Sequence, residues 1–319
     1  MNILFIGNNA VLPDYLHDSV FHGLREVYGA SVVDANKLWY LYEDCNLFDE
    51  KNFETIRKPL HGWGYTYGGN LKDLNIDRVD IYSKIKNKYF DLVIFGICRN
   101  DPKDSSKAIY ERDDLLNKCL QIYPSNKLIF LDGSDGQDIK REDLLNKGFY
   151  FKRENIGIGY PIWFAIPKQK FNFNYEKIKL FSNNIPAHNR KNYTHFTEKS
   201  YYSDYGQSFF AITCKKGGWD CMRHYEIMSQ GTLPYFVDID KSPIQTMPLI
   251  NRKFCQETKT LIDIKYDLWQ QIDLQILSEI KDMNKYEYLR NLMISQVKEL
   301  YNTETLAKYI IDTVNHENR

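Results

Sequence analysis

Two groups of residues in this sequence carry side chains and spacings that could do chemistry. The first lies in "KKGGWDCMRHYEIMSQGTLPYF", Lys215 to Phe236. A strand ending in Lys215 and Lys216 would lead into a close-approach loop at Gly217 and Gly218, where missing side chains free the backbone. A helix would follow, with Asp220 as its N-cap and Gly231 as its stop. Its first amides and positive dipole end form a ready anion site. On that helix Arg223, Glu226 and Gln230 share one edge. Cys221, Met222, Tyr225 and Met228 form the packing face. A cation for phosphate and a carboxylate for sugar hydroxyls thus stand one turn apart. Taken alone, an Arg–Glu pair at this spacing is more often a solvated pair worth a few tenths of a kcal/mol. No Gly-Lys-Ser or Gly-Lys-Thr follows, so this is not a Walker loop.

The second group stands where strands should end in the first half. "LDGSDGQD" places Asp132 and Asp135 there, and "LPDYLHDS" places Asp14, His17 and Asp18. "GICRND" places Arg99 and Asn100 past another strand. A carboxylate or histidine at such a position could take a proton from an attacking hydroxyl. Each has a plainer reading: Asp-Gly is a common turn, Asp18 fits a helix cap, and His17 fits a surface side chain. Trp63, Tyr65 and Tyr67 in "LHGWGYTYGGN" could stack on an acceptor sugar, or simply tuck the loop against the protein. Arg190 or Lys191 could reach a phosphate, or sit in a solvated basic loop.

The elements that would position these residues alternate. "NILFIG", "SVVDA", "FDLVIFGI" and "KLIFLDG" read as strands, with helices over "DSVFHGLREVYG" and "YERDDLLNKCLQIY". This alternation predicts a doubly wound α/β domain over 1–165. "YPIWFAIPKQKFNFNYEK" loses periodicity and marks the crossing. Beyond it, "IKLFSNN", "SFFAITCKK" and "TLPYFVDID" read as strands around the Arg223 helix, and the chain from about Thr260 reads as helical. The expected fold class is α/β. Two Rossmann-like domains, 1–165 and 166–319, should face a central cleft, with a helical C-terminal tail. Ligand is expected at the carboxyl ends of the strands.

Composition narrows the function. The 319 residues exceed what one core usually supports. Lys+Arg and Asp+Glu both number 42, and this balance disfavours nucleic acid as a partner. No stretch reaches the roughly 18 apolar residues of a membrane span. The N-terminus lacks a basic segment, so it reads as a strand rather than a signal peptide. The six cysteines form no CxxC pair, as expected of free thiols in the cytoplasm.

Arg223, Glu226, Gly231 and Pro234 spell "R-x-x-E-x-x-x-x-G-x-x-P" before a strand. Over about 25 residues this segment resembles nucleotide-sugar glycosyltransferases of the two-Rossmann-domain (GT-B) class, among them exostosin-like and bacterial or viral glycan transferases. The resemblance implies that Arg223 contacts the diphosphate and Glu226 the ribose, with Lys216, Gly217 and Gly218 near the phosphates. In many such enzymes a sugar-binding carboxylate stands where Trp219 is here, with Asp220 beside it. The implied activity is metal-independent transfer of a sugar from a nucleoside diphosphate to a hydroxyl of a glycan or glycoconjugate, with no cofactor and Asp132, Asp135, Asp18 or His17 as base. One alternative is a non-catalytic nucleotide- or phosphosugar-binding module. Another is a metal-dependent single-domain transferase, through the DxD pair Asp238 and Asp240.

Overall fold

A computed structural model describes residues 1–7, 14–45, 64–97, 107–155, 157–186, 195, 197–267 and 272–318. In chain order its elements begin β1 (Ile3–Ile6), α1 (Tyr15–Tyr28), β2 (Val32–Asp34), α2 (Ile81–Lys86), β3 (Leu92–Ile97), α3 (Lys107–Ile122), β4 (Leu128–Asp132), β5 (Phe149–Lys152) and β6 (Tyr160–Pro161). They continue with β7 (Lys179–Phe181), α4 (Glu198–Gly206), β8 (Ser208–Thr213), α5 (Met222–Ser229), β9 (Leu233–Phe236), α6 (Arg252–Thr260), β10 (Ile264–Asp267), β11 (Ile272–Ile276), α7 (Met283–Leu300) and α8 (Thr303–Glu317).

The chain divides into two units: Met1–Pro167 together with Asn302–Arg319, and Lys168–Tyr301. The first is built on a six-stranded sheet of order β2-β1-β3-β4-β5-β6, parallel throughout. Both faces are covered, which is why these strands read as continuous apolar runs rather than alternating ones. Leu4, Ile6, Val93, Phe95, Leu128 and Phe130 pack with Ile81 and Ile85 of α2 and Leu115, Leu116 and Cys119 of α3. On the opposite face Phe5 meets Phe21 of α1, ring centroids 5.0 Å apart.

The last helix departs from the expected tail. The sequence places it with the second domain, but α8 packs along α1 in the first unit. Gly23 makes the crossing: a Cβ there would stand 1.8 Å from the Thr303 carbonyl oxygen. The His22 Nδ1 meets the Thr303 hydroxyl at 2.9 Å. Gly→Ala inside a helix ordinarily gains up to about 1 kcal/mol. Here the added methyl meets backbone, so Gly23→Ala should instead destabilise by about 1–3 kcal/mol. Thermal denaturation measures this, and an unchanged or raised melting temperature would refute the crossing.

The second unit holds a smaller parallel sheet, β7-β8-β9, and a separate antiparallel pair, β10 and β11. Three parallel strands are fewer than a full Rossmann sheet. The antiparallel pair lies where only helix was expected. Pro234 sits in β9, an edge strand, where a missing N–H breaks no ladder on the open side.

Candidate functional site

The "KKGGWDCMRHYEIMSQG" segment leaves the carboxyl end of β8 and leads through α5 into β9. Lys215, Lys216 and Gly217 are exposed and Gly218 is buried. Neither glycine takes a positive φ, so an unusual backbone is not what the pair supplies. The loop closes with the Lys216 N–H donating to the Gly218 carbonyl at 3.1 Å. The Lys215 ammonium lies over the half-buried Trp219 ring, 5.5 Å from its centre, which keeps a cation at the loop's open side.

The helix starts one residue later than expected. Cys221 is the N-cap of α5, and its side chain makes no capping hydrogen bond. Asp220, the expected cap, is 1% exposed and accepts from the Tyr225 hydroxyl at 2.7 Å. It packs the helix. Gly231 does end the segment, with φ 64° and its N–H on the Met228 carbonyl at 3.0 Å. Gln230 leaves the Arg223 edge, because its amide donates to the Lys170 carbonyl at 2.7 Å.

Arg223 and Glu226 share an edge, as the spacing predicts, and that edge faces α4. The Tyr201 hydroxyl donates to Glu226 at 2.6 Å, and Arg223 hydrogen-bonds the Tyr205 hydroxyl. Burial, then the Glu226 charge, push the Tyr201 hydroxyl far above its ordinary pKa, so it remains a donor. Glu226 is 5% exposed. A ribose held directly by this carboxylate, as the resemblance implies, does not fit that burial. The reason is the pair of α4 tyrosines packed over it. Arg223 is half-buried, and its charge also reaches Cys214 and Tyr266. Burial raises the Cys214 thiol to about 11, so this cysteine is a neutral neighbour and not a nucleophile.

His224 had no role in the sequence reading. It is buried, and it bridges the Thr213 hydroxyl at 2.7 Å and the Trp219 carbonyl at 2.8 Å. A carbonyl can only accept, so this network puts a proton on Nε2. Its ring also lies 4.6 Å from that of Phe236. One imidazole thus ties the end of β8, the glycine loop and β9 together. The only signal in the sequence was a polar residue amid the apolar positions of a helix.

Asp238 and Asp240, the DxD pair, have partners within the protein. Asp238 accepts the Lys215 N–H at 3.2 Å, and burial raises its carboxyl above the usual range. Asp240 is held by Lys259 and Gln256, both at 2.8 Å. Among the described residues no group of three or more His, Cys, Asp or Glu is placed to hold a metal ion.

In the first unit, three of the four proposed bases are buried. Asp132 is fully buried and accepts from the Ser134 N–H and hydroxyl, the Lys140 N–H and the Tyr150 hydroxyl. Asp18 is 3% exposed in the first turn of α1, not at its cap, and accepts from Tyr40. Burial raises its carboxyl well above the ordinary range. His17 is 1% exposed, packs on Gly96, and is held neutral by burial. None of the three meets solvent, where an acceptor hydroxyl would arrive. Asp135 differs: its side chain is 35% exposed and ion-paired with the buried Arg153. Arg153 also donates to the Gly133 carbonyl at 3.0 Å and to Glu154 at 3.2 Å.

Tyr65 is 2% exposed, so it belongs to the core and offers no stacking face. Tyr67 is buried too, its hydroxyl on the Ala165 carbonyl at 2.5 Å. Trp63, Arg99 and Arg190 lie outside the described residues.

No protein-family model matches the chain, and comparison with curated proteins and with solved structures finds no match. No helix among the described residues is long and apolar enough to cross a membrane.

The two units differ at the starts of α1 and α5. At the start of α1 the Asp14 carboxylate accepts from the Leu16 and His17 N–H groups at 2.9 and 3.2 Å. A phosphate there would compete with a carboxylate for the same amides. At the start of α5 the N-cap residue Cys221 makes no side-chain capping bond, and two exposed lysines precede it.

Proposed function

We propose that this protein is a nucleotide-sugar-dependent glycosyltransferase of the GT-B kind. Its second unit is the donor side and its first unit the acceptor side. The observation that carries the reading is the contrast between the two helix starts. The α5 start has an N-cap, Cys221, whose side chain makes no capping bond, behind the exposed Lys215-Lys216-Gly217 turn. The α1 start is already occupied by Asp14. Backbone amides, a dipole end and two ammonium groups form a phosphate cradle.

In this reading Lys215, Lys216 and the α5 amides hold the diphosphate, and Arg223 adds charge behind them. Developing negative charge on the leaving diphosphate is then stabilised by fixed donors. Glu226 acts through Tyr201 as a positioning residue, keeping Arg223 and the α4 tyrosines in register. Trp219 offers a ring face at the loop's edge for the donor. Asp135 is the base that takes the acceptor hydroxyl's proton. The DxD reading is weaker because Asp240 is engaged by Lys259 and Gln256.

The test is a thermal-shift panel of nucleotide sugars on the full chain. A donor at 100 times its Kd should stabilise by about 2.7 kcal/mol. The double variant Lys215→Ala/Lys216→Ala should lose most of that shift without changing the unliganded melting temperature, since both side chains are exposed. Each lost charge-assisted contact is worth about 1.5–3 kcal/mol. If no nucleotide sugar shifts the melting of the unaltered protein, the reading fails.

A further inference from the structure

The first unit carries a cleft of about 590 Å³ that takes no part in the reading above. It lies where β4 and β5 begin, at the edge of the sheet opposite the carboxyl ends that hold Asp132 and Arg153. Its volume falls in the range of small-molecule sites, about 300–1,000 Å³. Phe149 and Tyr160 form an aromatic wall, ring centroids 6.0 Å apart. Both residues are half-buried. Asn126 and Asn146 stand exposed on the rim, and Glu317 and Asn318 at the end of α8 close it.

The walls come from separate segments and are held together. The Asn318 amide donates to the Asn126 carbonyl at 3.2 Å, and Tyr160 hydrogen-bonds Glu317. The cleft is therefore formed before any ligand arrives.

Its chemistry selects a ligand class. No Lys, Arg or His is among the described residues that line it, and the one carboxylate is Glu317. Phosphates and other anions find no cation there. A peptide strand would need an edge to pair with, but β6 is two residues long and ends in Pro161. What remains is a half-exposed aromatic wall beside amides that both donate and accept. A neutral sugar is complementary to that surface: its C–H face lies on a ring, and its equatorial hydroxyls meet amides and a carboxylate.

We propose that this cleft is a binding site for a neutral saccharide, separate from the donor site. It does not depend on the donor reading. On a polymeric acceptor, a second contact would raise the effective concentration of the chain at the enzyme without taking part in the chemistry.

Saturation-transfer NMR on the full chain tests the proposal with chitotriose, maltotriose and cellotriose as probes at millimolar concentration. At least one should receive saturation. Tyr160→Ala should abolish the signal. Asn146→Glu, an exposed change that leaves the packing intact, should weaken it about tenfold, the loss of roughly one hydrogen bond. The Lys215→Ala/Lys216→Ala variant should leave it unchanged, which separates this site from the donor site. Transfer to none of the three sugars overturns the proposal. So does a signal that Asn146→Glu leaves undiminished, or uridine monophosphate binding that Asn146→Glu abolishes.

Discussion

Asp132→Ala should destabilise the first unit by about 3–5 kcal/mol, the cost of breaking a buried, hydrogen-bonded ion pair. Asp132 is 0% exposed and accepts from Ser134 N and Oγ at 3.0 and 2.6 Å, from Lys140 N at 3.3 Å and from Tyr150 at 2.7 Å. The Lys152 ammonium, 1% exposed, stands 3.7 Å away and holds the Ser134, Gly136 and Arg153 carbonyls. Removing the carboxylate leaves that buried cation without its counter-charge and frees the turn that follows β4. Burial alone would raise the Asp132 carboxyl, but Lys152 and the bonds from Ser134 and Tyr150 outweigh it and hold it below the usual range. A carboxyl lowered on folding stabilises fully above its unfolded value, about pH 3.9, and that stability is lost as pH falls through the folded value. Asp132→Asn should therefore flatten the acid limb of stability below about pH 4. Urea titration at several pH values reads both effects. A variant with an unchanged urea midpoint and no turnover would mean instead that Asp132 is the base.

The parallel core of the first unit was legible because buried strands are written as uninterrupted apolar runs. "NILFIG", "FDLVIFGI" and "KLIFLDG" each became a strand of the sheet. β5 escaped because "FYFK" holds no aliphatic residue and ends in a lysine, bounded by Gly148 and by Arg153. β6 escaped because its two residues include a proline, a residue normally read as a break. The place of α8 could not be read from its own sequence: amphipathicity shows that a helix packs, not on what. The one clue was Gly23 in the middle of α1, a residue without helix propensity whose reason is the Thr303 backbone.

The site was half legible for a related reason. Sequence spacing gave the Arg223–Glu226 edge correctly, because the helical period is local. Which of the polar residues would be buried depended on partners distant in the chain. Glu226 is covered by Tyr201 of α4, and Asp18 by Tyr40. Tyr40, Tyr150, Tyr201 and Tyr225 supply hydroxyl donors that let carboxylates go inside. The aromatic content thus serves in part to satisfy buried acids.

Asp135→Asn should lower turnover by about 10²–10⁴-fold, the usual contribution of a positioned general base. It should leave the thermal shift by the donor unchanged. Among the proposed bases of the first unit, Asp135 alone has a side chain open to solvent, at 35% exposure, and a buried cation to orient it. Arg153 is fixed on three sides, by the Gly133 carbonyl, by Glu154 and by the Phe164 ring 4.7 Å from its guanidinium. Glu154 takes φ 56° to stay beside it, a backbone angle non-glycine residues rarely adopt, held in place by the surrounding contacts. Arg153 is thus a positioning residue, and because Glu154 still balances its charge in Asp135→Asn, that variant should remain folded. Arg153→Lys keeps the charge but loses the fork that aims Asp135. It should lower kcat more than it raises KM for the donor. Initial rates over a range of donor concentrations distinguish the outcomes. If Asp135→Asn keeps turnover within a few fold, the base lies elsewhere. A protein that shows donor binding but no turnover in any form would be the non-catalytic binding module.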